Sequence, residues 1–184
     1  MYAPNMRKRF LGTTAVVLAA CSMASCNSAA NKAAGPVPET EQVIDASLKD
    51  LYMKASAAAP QSAAQQEVIF KMADTASNGK ELLLAMRAAI GVFPADAQAQ
   101  EARVRAMVTA KMMQLGTLDQ LLEYATRYPV DEPSARPFVE RMFQLATGNS
   151  NPREWYRIRV IARRLKVGDL EEQAQAKGDQ LAGR

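Results

Sequence analysis

The run Thr117-Leu118-Asp119-Gln120-Leu121-Leu122-Glu123-Tyr124-Ala125-Thr126-Arg127-Tyr128-Pro129 decides the fold. Leu118, Leu121, Leu122 and Ala125 recur at i, i+3, i+4 and i+7, one face of a 3.6-residue helix. Thr117 followed three positions later by Gln120 is a capping-box pattern. Pro129 ends the helix because it lacks a backbone N–H and clashes with the preceding turn. Directly beyond it, Asp131-Glu132-Pro133 opens another helix, in which Ala135, Phe138, Val139, Met142, Phe143 and Ala146 form a stripe expected to be buried against the preceding helix. Gly148 closes it. Two apolar-striped helices joined by a short break make a helical hairpin.

The same grammar extends in both directions. Upstream, a first helix is expected over about 39–58, with Ile44, Leu48, Leu51 and Ala55 on one stripe and Pro60 as its breaker. Ser62-Ala63-Ala64-Gln65 is a capping box for a second helix reaching about Ala76. Asn78 caps a third, 80–92, in which only Lys80, Glu81 and Arg87 are polar. A helix so apolar on nearly all sides belongs at the centre of a domain. A fourth, 95–115, carries Val104, Val108, Met112 and Leu115 and ends at Gly116. Downstream, Asn151-Pro152-Arg153-Glu154 combines a cap, a first-turn proline and a first-turn acid. That seventh helix is expected to run to Lys166 and to end at Gly168. The stretch 169–182 is helix-prone, but Leu170 and Leu181 are its only large apolar residues, so it reads as a frayed tail. Aromatic residues are only 6% of the chain, and alanine is abundant while β-branched residues are sparse, which favours helix over sheet. The expectation is an all-α domain of about seven helices over 38–184.

Helix starts at Asn78, Thr117 and Asn151 lie 39 and 34 residues apart, and the breaks Phe93-Pro94 and Tyr128-Pro129 lie 35 apart. Helix–turn–helix units of about 34–40 residues are the period of tetratricopeptide arrays, and the body from about 62 to 166 resembles three degenerate repeats of that family. The consensus Trp, Gly and Tyr of the first helix are absent, so an irregular helical bundle stands as the alternative.

At the other end, Arg7-Lys8-Arg9 precedes an apolar run, Phe10 to Ala20, and then Leu18-Ala19-Ala20-Cys21. Eleven residues span about 16 Å as a helix, too short for a hydrocarbon core of about 30 Å. The run fits the apolar region of a secretory signal over 1–20. Leu18-Ala19-Ala20-Cys21 resembles the lipobox of bacterial lipoproteins. The resemblance implies a diacylglyceryl group on the Cys21 sulfur, cleavage before Cys21 and acylation of the new amino group. It also implies lipid anchoring on a bilayer, with Ser22 compatible with transfer to the outer membrane and a face toward the periplasm. Two other readings stay open: an ordinary signal cleaved after Ala30, and a box ending at Cys26. Residues 21–37 are small, polar and turn-prone, a flexible tether of roughly 20–24 Å as a coil.

Composition removes many chemistries. There is no His, and the two Cys are Cys21 and Cys26. His triads, His-ligated metals, Cys-rich zinc sites and a disulfide framework are excluded. No Gly-x-Ser-x-Gly, Ser-x-x-Lys or phosphate-loop pattern occurs, and most acids sit at helix starts, where caps and dipoles account for them. No catalytic residue, metal or cofactor is expected. The net charge is +4, but Arg7, Lys8 and Arg9 fall in the signal. The remaining 20 cations against 19 acids leave +1, which removes the main argument for nucleic acid as a partner.

One segment stands out. Between 153 and 166, Arg153, Arg157, Arg159, Arg163, Arg164 and Lys166 accompany a single acid, Glu154. Trp155, Ile158, Ile161, Ala162 and Leu165 take one face of the helix and leave the cations the rest. Arg157, Arg159, Arg163 and Arg164 form a candidate docking surface for an acidic partner or anionic headgroups. The competing reading is a solvated outer face, with arginine stems covering apolar surface. The ten Met read first as packing filler, with Met107, Met112 and Met113 as candidates for a peptide groove. The function these features suggest is a lipid-anchored, periplasm-facing scaffold that binds another envelope protein, in the manner of pilotins or assembly factors. A peptidoglycan-binding or peptidoglycan-acting lipoprotein is the alternative.

Overall fold

A computed structural model describes residues 42–183, all within the compact unit Ala33–Arg184. Among the described residues the regular structure is entirely helical. The elements are α1 (Ala46–Ala57), α2 (Ala63–Thr75), α3 (Gly79–Ala89), a 3₁₀ turn (Ala95–Ala97), α4 (Gln98–Leu115), α5 (Leu118–Arg127), α6 (Glu132–Ala146), α7 (Pro152–Arg164) and α8 (Gly168–Leu181). The expected signal, tether and Cys21 lie outside the described residues.

The starts follow the local chemistry. The side chains of Ser62, Asn78 and Asn151 accept from the backbone N–H groups of Gln65, Glu81 and Arg153. Thr117 and Gln120 complete a reciprocal capping box. Each satisfies donors that the first turn of a helix leaves without partners.

Helices touch their nearest and next-nearest neighbours in the chain. α1, α3, α5 and α7 pack in succession as one layer, and α2, α4 and α6 as a second. α8 packs on α7. This is an array of antiparallel hairpins, in which each unit is held by the units beside it. The core lies between the layers, with Ile69, Met72, Leu82, Met112, Phe138 and Ile158 fully buried. Each such side chain contributes about 1.5–3 kcal/mol of transfer free energy.

A stitch repeats along the array. Lys111 Nζ of α4 donates to the carbonyls of Ala73 and Ala76 at the end of α2, at 3.1 and 3.5 Å. Arg141 Nε of α6 donates to the Met113 carbonyl in the last turn of α4, at 2.9 Å. Arg164 Nη1 of α7 donates to the Thr126 carbonyl in the last turn of α5, at 2.6 Å. In each case a cation two helices further on meets carbonyls that the helix end leaves unsatisfied, at the negative end of its dipole.

Several sequence expectations change. Residues 42–45 are a non-helical strap rather than the first turns of α1, which begins after the Asp45 cap. α7 ends at Arg164; Lys166 takes the left-handed conformation (φ 59°), and Gly168 starts α8 instead of ending α7. The supposed tail is therefore a docked helix. Its buried residues are Leu170, Ala174 and Gly178, and a Cβ on Gly178 would stand 2.6 Å from the Tyr156 ring. Phe143 is half-buried rather than buried, and stacks edge-on against Trp155 of the following helix, centroids 5.2 Å apart.

Candidate functional site

The four candidate arginines of α7, Arg157, Arg159, Arg163 and Arg164, are each engaged within the fold. Arg157 Nη1 lies 2.7 Å from Asp119 of α5 and 2.9 Å from Glu154. Partial burial works against its charge, but the two carboxylates outweigh this and hold its pKa above the ordinary arginine value. Arg163 reaches Glu171 of α8 at 2.5 Å, and Arg159 lies 3.7 Å from the same carboxylate. Arg164 is the third member of the carbonyl stitch. Read from α7 alone, this segment has one acid. In the array, Asp119 and Glu171 arrive from the helices on either side.

Between α3 and α5, in the middle of the odd-numbered layer, lies a buried polar clamp. Gln42, Asn78, Glu81 and Gln120 are all almost completely enclosed. Gln120 Nε2 donates to Gln42 Oε1 at 2.7 Å, while Gln120 Oε1 accepts from the Thr117 N–H at 3.0 Å. Asn78 Nδ2 donates to the Val43 carbonyl at 3.1 Å. The Asp45 N–H donates to Glu81 Oε1 at 2.8 Å, and Ser77 N–H and Oγ donate to Glu81 Oε2 at 2.7 and 2.9 Å. Lys80 Nζ donates to the Gln42 carbonyl at 3.3 Å. The strap 42–45 is thus fixed across the N-terminal ends of α3 and α5. Buried polar groups are tolerated because they are partnered in this way.

The clamp shapes a groove. Ile44 of the strap, Leu83 and Leu84 of α3 and Tyr128 at the end of α5 line an open recess of about 180 Å³, with Lys80, Arg87, Glu123 and Arg127 around it. Glu123 pairs with Arg127 at 3.1 Å. Burial raises the Tyr128 pKa above the usual tyrosine value. A larger cleft of about 450 Å³ opens between the start of α6 and the α7–α8 turn, with Glu132 and Asp169 among its lining residues. Asp169 accepts from Arg136 at 2.6 Å, which holds its carboxyl below the usual carboxylate range. That carboxyl stays ionised and is poorly suited to donating a proton. Of the methionines singled out, Met112 is core, and Met107 and Met113 are half-buried against it.

Among the described residues no group of three or more Cys, Asp and Glu could hold a metal ion, and no helix is long and apolar enough to cross a membrane. No family model, curated protein or solved structure matches this chain.

Sequence reasoning found the α7 arginines but missed the clamp and its groove. The capping residues Asn78, Thr117 and Gln120 were legible as caps. Their common partner Gln42 lies 78 residues from Gln120, and no local pattern announces it.

Proposed function

We propose that this protein is a lipid-anchored scaffold on the periplasmic face of a bacterial outer membrane, and that its helical array binds another envelope protein. The observation that carries the reading is the pattern Arg7-Lys8-Arg9, apolar run, Leu18-Ala19-Ala20-Cys21. Acylation of Cys21 would anchor the chain by its lipid, since two or more acyl chains hold stably where one holds marginally. The array then needs no membrane-binding face of its own, and its surface is available to a protein. Arrays of helical hairpins present extended surfaces suited to peptides and helices of partners. On this reading the role is binding rather than catalysis, with no cofactor. Among the α7 arginines, Arg157, Arg159 and Arg163 serve the fold through ion pairs and Arg164 through a carbonyl. They contribute to partner docking only by exchanging these internal partners.

The test is Cys21→Ala. The expected result is loss of acylation, with unprocessed precursor or release from membranes, read by fractionation and by the mass of the N-terminal peptide. Normally acylated protein from this variant would move the anchor to Cys26. Soluble, processed protein from the unaltered chain would remove lipid anchoring from the reading altogether.

A further inference from the structure

We propose that the groove between α3 and α5 is the partner-docking site, and that it receives a bulky apolar side chain presented by an acidic segment of the partner protein. The inference rests on the scaffold reading above and adds the surface and the chemistry of its occupant.

The two seams of the odd-numbered layer differ. The α5–α7 seam is crossed by the Arg157–Asp119 ion pair and by Arg164 on the Thr126 carbonyl. Among the described residues no salt bridge crosses the α3–α5 seam. There the chain leaves an apolar floor of Ile44, Leu83 and Leu84 half-buried at the surface. The recess of about 180 Å³ accommodates one large aliphatic or aromatic side chain. The charge around it is unbalanced. Glu123 is matched by Arg127. Lys80 donates to a neutral carbonyl, which leaves its charge uncompensated. Arg87 is exposed at the rim. An incoming carboxylate beside the apolar anchor meets these two cations. The groove is also preformed, because the clamp fixes the strap that makes its wall, so little ordering accompanies binding.

A peptide fits better than a membrane surface. Anionic bilayers attract clusters of about 4–8 basic residues, whereas Asp119, Glu123 and Glu154 interrupt the cations of this layer. The recess also holds a side chain rather than an acyl tail.

The probe is a panel of fluorescein-labelled nonapeptides carrying Leu, Phe or Trp flanked by Asp and Glu. Each has one companion with the apolar residue changed to Ser and another with the acids changed to Lys. Anisotropy is read with the full chain at low and moderate salt. Acidic–apolar peptides should bind, with both companions weaker by about tenfold or more. Arg87→Glu should weaken binding at least about fivefold, and salt should weaken it as well. Lys177→Gln, on the exposed face of α8, should bind as the unaltered chain does, and both variants should keep the unaltered circular dichroism spectrum. Equal binding of the Ser companions, or undiminished binding by Arg87→Glu, overturns the proposal. So does co-sedimentation with phosphatidylglycerol vesicles while no peptide in the panel is preferred. Chemical crosslinking in intact envelopes separates this failure from that of the scaffold reading. A partner captured equally by the Arg87→Glu chain refutes the groove alone, whereas no protein captured by the unaltered chain refutes the scaffold as well.

Discussion

Replacing Gly79 with alanine should destabilise the domain for a reason that has nothing to do with backbone freedom. Gly79 is the first residue of α3 and has no unusual φ. A Cβ there would stand 1.9 Å from Gln120 Oε1, 2.6 Å from Gln120 Cδ and 3.2 Å from the Gly116 Cα. The Gln120 side chain is flexible in principle, but both of its ends are bound, to the Thr117 N–H and to Gln42. Displacing it loses the capping interaction, about 0.5–2 kcal/mol, and strands buried amide groups at about 1–3 kcal/mol. Alanine returns at most about 1 kcal/mol through helix propensity and a less flexible unfolded chain. The net expectation for Gly79→Ala is a loss of about 2–3 kcal/mol, or a Tm lower by roughly 5–10 °C for a chain of this size. Thermal and urea unfolding followed by circular dichroism would measure it. The decisive comparison is a double-mutant cycle with Gln120→Ala. Gln120→Ala alone should cost a similar amount, and adding Gly79→Ala to it should be neutral or stabilising by up to about 1 kcal/mol. A Gly79→Ala variant as stable as the unaltered chain, or one whose cost persists unchanged without the Gln120 side chain, would refute the reasoning.

Two further outcomes follow from the core. Burial pushes the Tyr124 pKa up to about 12, partly offset by its 2.8 Å hydrogen bond with Thr109. The folded state therefore holds this proton more tightly than the unfolded chain. The associated stability is complete below about pH 10 and is lost as pH rises toward 12. Tyr124→Phe should cost about 1–2 kcal/mol at pH 8, and the gap should narrow by about 1 kcal/mol at pH 11; urea midpoints that fall in parallel would sink this. Phe138→Ala, fully buried, should cost about 3–5 kcal/mol. Half-buried Phe143→Ala should cost only about 1–2, mostly from its stacking on Trp155, and equal losses by calorimetry would show the faces misassigned.

The parts of this fold that were legible in the sequence are those encoded within one turn of helix. Ser62, Asn78, Thr117 and Asn151 announce their helices because a cap and its recipient N–H lie within three residues. The stripes of α4 and α6 are visible because they use large apolar side chains. α8 was invisible as a packed helix because its interface is made of absences: Ala174 is buried with almost no side chain and Gly178 lets Tyr156 lie close, and apolar periodicity registers only what a residue has. Gly168 was misread as a stop because glycine commonly takes the left-handed position, which here falls to Lys166. The basic character of α7 was legible, but its neutralisation was not, since Asp119 and Glu171 belong to other helices. The groove depends on a strap, a cap and a capping box meeting in space, and sequence spacing carries no record of that meeting.

The clamp also has a mechanical consequence. A pull on the chain ahead of Gln42 would reach five hydrogen bonds before it reached any turn of α1. Gln42 is held by Gln120 Nε2, by the Lys80 N–H and by Lys80 Nζ, Val43 by Asn78 and Asp45 by Glu81. The load would pass into the N-terminal ends of α3 and α5, in the middle of the array, and α1 would lie off the line of force. The first helix would stay wound under tension that would unpeel it if the chain entered there directly.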